Sequence, residues 1–169
     1  LFRSLVGPFG PTLVPSLVKA SPSLYRVSAS NQVGAGSPFT SLCDALLAGP
    51  PLVRELTLGR SFGPEWLPVL RYLTSLEYLA IVSPDLAENP VDILPLVAPT
   101  LATLKINSPA ARSEDRAPFF DVLYDALGKR SLSNLRKLVV DVDLAKVRQS
   151  EAGRALLARC EKRGIEIVM

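Results

Sequence analysis

The side chains that could do chemistry in this sequence are few: two cysteines, Cys43 and Cys160, and two close pairs of aspartates, Asp141 with Asp143 and Asp121 with Asp125. A thiol can act as a nucleophile when a neighbouring base removes its proton. Two carboxylates on one face can divide acid and base roles. The chain contains no histidine, which removes the usual Ser-His-Asp and Cys-His arrangements and the commonest metal ligand. Cys43 has no base beside it in sequence. Asp141 and Asp143 alternate at the end of an apolar run, so on a strand both would leave the same side as a solvated exit. Asp121 and Asp125 are spaced for the outer face of a helix. Gly34-Ala35-Gly36 begins a G-x-G-x-x-G match, but Phe39 stands at the third glycine, and no phosphate loop of the G-x-x-x-x-G-K-[ST] type occurs. The expectation is a non-catalytic chain that needs no metal or cofactor.

Charge and hydropathy narrow the partners. Residues 1–100 carry 6 basic and 7 acidic side chains, and residues 101–169 carry 13 and 9, for a net charge of +3 over the chain. Arg136-Lys137 and Glu161-Lys162-Arg163 are basic pairs interrupted by acids, not a stripe that tracks phosphates, so nucleic acid is not expected. No run reaches the roughly 18 apolar residues of a membrane helix. The uncharged stretch 4–18 is broken by Pro8, Pro11 and Pro15, which remove helix donors. Two widely spaced cysteines on apolar helical faces read as buried and unpaired, in keeping with a reducing, intracellular compartment, cytoplasm or nucleus.

The elements that must position any site follow one phrase. Leu76, Leu79 and Ile81 form an L-x-x-L-x-L pattern, and it returns as Leu24/Val27/Ala29, Val53/Leu56/Leu58, Leu101/Leu104/Ile106 and Leu135/Leu138/Val140. The first positions are about 23 to 34 residues apart, with helix-like sequence between, which is the signature of a repeat solenoid. Strands are expected over 24–29, 53–58, 76–81, 101–106 and 135–140, with a terminal one over 165–168. Leu13, Leu17 and Val18 suggest a short helix. Ser41-Leu42-Cys43-Asp44 fits an S-x-x-D cap for a helix reaching Leu47. Pro64 suits the first turn of a helix carrying Trp66, Leu67, Leu70 and Leu73. The prolines between Pro84 and Pro99 leave room for a brief helix, a 3₁₀ turn or an extended piece. Phe119, Phe120, Leu123, Tyr124 and Leu127 make the clearest amphipathic helix, and Ser150 can cap another ending near Gly164. Residues 1–11 read as an irregular lead-in. Because the chain opens on Leu1 with no strand before its first helix-like piece, it reads as a fragment of a longer polypeptide or a processed one, with 1–169 forming a single domain.

If the phrase residues point inward, strand alternation turns their neighbours outward. These are Arg26, Ser28, Glu55, Thr57, Tyr78, Ala80, Thr103, Lys105, Lys137, Val139 and Asp141. Tyr78 offers apolar area and a hydroxyl, as interface anchors do, and Arg26, Lys105 and Lys137 are available to carboxylates of a partner. The partner-binding candidates are Glu55, Tyr78, Lys105, Lys137 and Asp141.

The repeated phrase resembles the leucine-rich-repeat family over roughly residues 12–169. The resemblance implies an α/β, right-handed solenoid with a parallel sheet on the concave side and helices on the convex side. Many members place an asparagine three residues after the last leucine. Here Gln32, Ser61, Pro84, Pro109 and Asp143 stand there, so the turns must be satisfied in another way. The irregular, proline-rich spacing and the ending from Gly153 to Ile167 are similar to the C-terminal repeat regions of fungal F-box proteins. That likeness implies the substrate-recognition part of a ubiquitin-ligase subunit, with an adaptor of the Skp type engaged through an upstream segment. The alternative is a repeat scaffold or inhibitor-like interaction protein unconnected to ubiquitin.

Overall fold

Each apolar phrase delivers one short strand. The computed structural model describes residues 4–7, 23–29, 38–49, 52–59, 66–82, 94–107 and 117–169. Strands β1 (Ser4–Gly7), β2 (Arg26–Ala29), β3 (Glu55–Leu58), β4 (Tyr78–Val82), β5 (Thr103–Asn107), β6 (Lys137–Val140) and β7 (Glu166–Val168) form one sheet in sequence order. All six pairings are parallel. Parallel neighbours require a crossover between them. The described crossovers contain α1 (Pro38–Ala48), α2 (Trp66–Tyr72), α3 (Ala117–Leu127), α4 (Leu144–Gln149) and α5 (Glu151–Lys162), with 3₁₀ turns at Leu94–Leu96 and Arg130–Leu132. The fold is therefore α/β with an all-parallel sheet.

Register explains the core. Val27, Leu56, Leu79, Leu104 and Leu138 pair across five consecutive strands, and each is fully buried. Two residues on, Leu58, Ile81, Ile106 and Val140 form a second buried row. Against these rows pack Trp66, Val69 and Leu70 from α2, Phe119, Phe120 and Leu123 from α3, and Leu156 and Cys160 from α5. Neither the strands nor the helices could hide this surface alone. Each buried leucine or phenylalanine contributes on the order of 1.5–3 kcal/mol.

Strands β2 to β6 each begin two residues later than the apolar phrase suggests. Leu24, Val53, Leu76, Leu101 and Leu135 are buried but lie outside the ladder, in the turn that leads into it. That turn repeats a backbone device: one carbonyl accepts from two successive N–H groups of the following strand. Tyr25 O takes Arg54 and Glu55, Arg54 O takes Glu77 and Tyr78, Glu77 O takes Ala102 and Thr103, and Ala102 O takes Arg136 and Lys137. Upstream of it, the N–H groups of Leu76, Leu101 and Leu135 donate to Leu73, Ala98 and Leu132. Thr100 Oγ1 donates to Thr74 O and Leu76 O, and Asn134 Nδ2 donates to Pro99 O at 2.8 Å. These side chains tie the turns before β5 and β6 to the turn before each.

Three local expectations need correction. The lead-in over residues 1–11 was expected to be irregular, yet Ser4–Gly7 is strand β1, paired with β2. Its backbone gives partners to the edge of β2 that would otherwise lack them. Helix α1 starts at Pro38, so Ser41 lies within it rather than capping it. Proline suits a first helical position because its missing N–H would have no partner there. Asp143 is not on a strand: β6 ends at Val140, and the Asp143 carboxylate caps the short helix α4 by accepting from Ala145 N at 2.8 Å. The helix suggested by Leu13, Leu17 and Val18, the glycine-rich stretch 31–37, Pro64 and the loop 108–116 lie outside the described residues.

The C-terminal end is closed by α5. Ser150 Oγ accepts from Gly153 N at 3.0 Å, and a Cβ on Gly153 would stand 2.2 Å from Val147 O, so only glycine lets α4 and α5 meet there. Gly164 has φ 66° and ends the helix in the left-handed backbone region, with Ile165 N donating to Cys160 O and Gly164 N to Glu161 O. Arg159 reaches across to α3, donating to Tyr124 O at 2.7 Å and lying 3.7 Å over the Tyr124 ring. Arg163 donates to Leu127 O, Leu132 O and Ser133 O. Two arginines thus satisfy carbonyls that the end of α3 and the following turn leave without helical partners.

Candidate partner-binding face

The outward residues are displaced from the buried rows by a single step along each strand. Arg26, Glu55, Tyr78, Thr103, Lys137 and Glu166 pair in one register across β2 to β7. Ser28, Thr57, Ala80, Lys105, Val139 and Val168 form the next row. Apart from Ala80, which is 4% exposed beneath larger neighbours, all are half-buried or exposed. The described helices pack on the other side, so this face presents polar and aromatic groups on a rigid floor.

Four of the five candidates expected from the sequence share this face. Glu55 and Tyr78 are register partners and, with Arg26, Ser28 and Thr57, line an open depression of about 540 Å³. Lys137 lies in the same row, and Lys105 stands exposed in the adjacent one. Asp141 falls just beyond the end of β6, exposed, with its N–H on Ile106 O. It therefore marks the rim rather than the floor.

Charges on the floor are mostly matched. Arg26 Nε donates to Glu55 Oε2, and Lys137 Nζ donates to Glu166 Oε1 at 2.9 Å. Arg54 and Glu77 form a further pair at 2.9 Å on the leads into β3 and β4. The Arg26 guanidinium is held above its ordinary value, first by the hydrogen bond to Glu55 and then by that carboxylate's charge. Arg26 and Lys137 are thus already engaged, which corrects the expectation that both stand open to a partner's carboxylates. Glu166 belongs to the row and was missed. The alternation Ile165-Glu166-Ile167 was the available signal, since it places Glu166 opposite two inward isoleucines.

The groups considered for chemistry do not converge. Cys43 and Cys160 are buried and free of disulfide. Burial pushes the Cys160 thiol up to about 11, against a smaller opposing effect of Arg163, so at neutral pH it is a protonated thiol rather than a nucleophilic thiolate. Asp121 and Asp125 are exposed on α3. Asp143 is occupied as a helix cap and does not share a strand face with Asp141. A second hollow, of about 400 Å³, lies on the helical side between α3 and Arg159. No described helix is long and apolar enough to cross a membrane.

No family model, curated protein or solved structure matches the chain.

Proposed function

We propose that this chain is a non-catalytic protein-binding module of the leucine-rich-repeat type, a right-handed solenoid whose concave strand face receives a partner protein. The observation that carries the reading is the in-register row Arg26–Glu55–Tyr78–Thr103–Lys137–Glu166 on the side of the sheet opposite the core. A stack of parallel strands in sequence order, with one buried and one polar face, is the form in which repeat proteins offer extended binding surfaces. Tyr78 supplies the anchor, and Glu55, Lys105 and Lys137 set the charge pattern around it, with Asp141 at the rim. The absence of histidine and the protonated, buried thiol of Cys160 favour binding over catalysis.

The finer assignment is substrate recognition within an F-box-type ubiquitin-ligase subunit inside the cell, resting on the repeat spacing and the closing helix and strand. An adaptor of the Skp type would then be engaged by sequence upstream of this chain. Affinity capture with the intact chain and with a Tyr78→Ala/Lys105→Glu variant tests the binding reading. Loss of captured proteins from the variant is expected, by tenfold or more, the equivalent of about 1.4 kcal/mol. An unchanged set of captured proteins would show that this face is not the site. On the finer assignment the captured proteins are ligase substrates, so their ubiquitination in cells should fall when the polypeptide carrying this chain is depleted, and unchanged ubiquitination would favour a scaffold unconnected to ubiquitin.

A further inference from the structure

Among the described residues, Lys105 stands outside the ion pairs of the outer face. Arg26 is paired with Glu55 and Lys137 with Glu166, each across adjacent strands. Lys105, in the middle of the sheet on β5, is exposed and has no ion-pair partner among the described residues. Its register neighbours are Ala80 and Val139, one small and the other apolar, so neither offers it an acceptor. Tyr78 is its diagonal neighbour, since Tyr78 pairs with Thr103 two residues before Lys105. The ammonium and the phenol are both hydrogen-bond donors, and both rise from a floor kept low between them by Ala80 and Thr103.

We propose that the partner is an acidic protein segment that seats a side-chain carboxylate between Lys105 and Tyr78. This rests on the partner-binding reading of the face and specifies its chemistry. A carboxylate there accepts from both donors, and its charge pairs with a strand cation that has no ion-pair partner among the described residues. The ion pairs on either side carry no net charge, so they add little long-range field for or against an anion. They would repel neither the backbone of the segment nor its neutral residues. A basic segment would instead meet Lys105 head on, so like-charge repulsion provides selectivity as well as attraction.

Selection of random peptides from a display library on the full 169-residue chain tests this. Recovered peptides should be enriched in Asp and Glu. Synthetic versions should bind Lys105→Glu about tenfold or more weakly, yet bind Lys105→Arg and the helix-side control Lys146→Glu within about threefold of the parent. Binding should also weaken with added salt, and selection on Lys105→Glu should return basic peptides. Peptides without acidic residues that lose binding in Tyr78→Ala but not in Lys105→Glu would overturn the carboxylate proposal and leave the face as the binding site. Peptides indifferent to both substitutions, or no selected peptide at all, would count against both.

Discussion

The two faces of this sheet are separated by one residue on every strand, and their physics is opposite. On β5, Leu104 is fully buried in the row that runs from Val27 to Leu138, while its neighbour Lys105 is exposed. On the inner face, neighbouring strands contribute interchangeable aliphatic groups whose only requirement is to fill space. On the outer face the groups vary from strand to strand: a guanidinium, carboxylates, a phenol, hydroxyls and ammonium groups. The inner face gains stability from water exclusion, and the outer face gains little from its exposed ion pairs. The comparison teaches that recognition can change along this fold without changing what holds it together.

The sharpest way to break that contrast is to exchange the roles of adjacent residues. Leu104→Ala should destabilise the chain by about 2–5 kcal/mol through lost burial and a residual cavity. Lys105→Ala, one residue away, should stay within about 0.5 kcal/mol. Urea unfolding reads both as midpoint shifts at constant slope. If the two substitutions cost the same, the division between the faces is wrong. A smaller effect is expected on the outer face itself. A double-mutant cycle on Arg26 and Glu55 should give only a small coupling that shrinks with salt. A coupling several times larger would mean that this face is structural rather than available to a partner.

The period-two alternation made the strands legible, because inward leucines and outward polar residues can be read in any one phrase. It also located Glu55, Tyr78, Lys105 and Lys137 correctly on one side. The pairings were not legible. Arg26 and Glu55 are 29 residues apart, as are Lys137 and Glu166, so their contacts exist only once the strand register is known. Strand starts were misplaced because Leu24, Val53, Leu76, Leu101 and Leu135 are buried like strand residues yet sit in turns. Burial periodicity cannot distinguish the two. The strand Ser4–Gly7 was hidden by its proline and glycine neighbours, since its pairing with β2 is a long-range contact. The spacing of Asp143 to Asp141 suggests a shared strand face, whereas the short helix after it uses the carboxylate as a cap.

Lysine reactivity tests the central claim most directly, because this chain carries lysines on both sides of the sheet. Acylation of the free chain and of its complex with a captured protein, read by mass spectrometry, compares Lys105 on the strand face with Lys146 and Lys162 on the closing helices, all three exposed. The account predicts that the partner protects Lys105 severalfold and leaves Lys146 and Lys162 as reactive as before. Protection of Lys146 and Lys162 with Lys105 unchanged would contradict it, and would move the binding surface to the helical side.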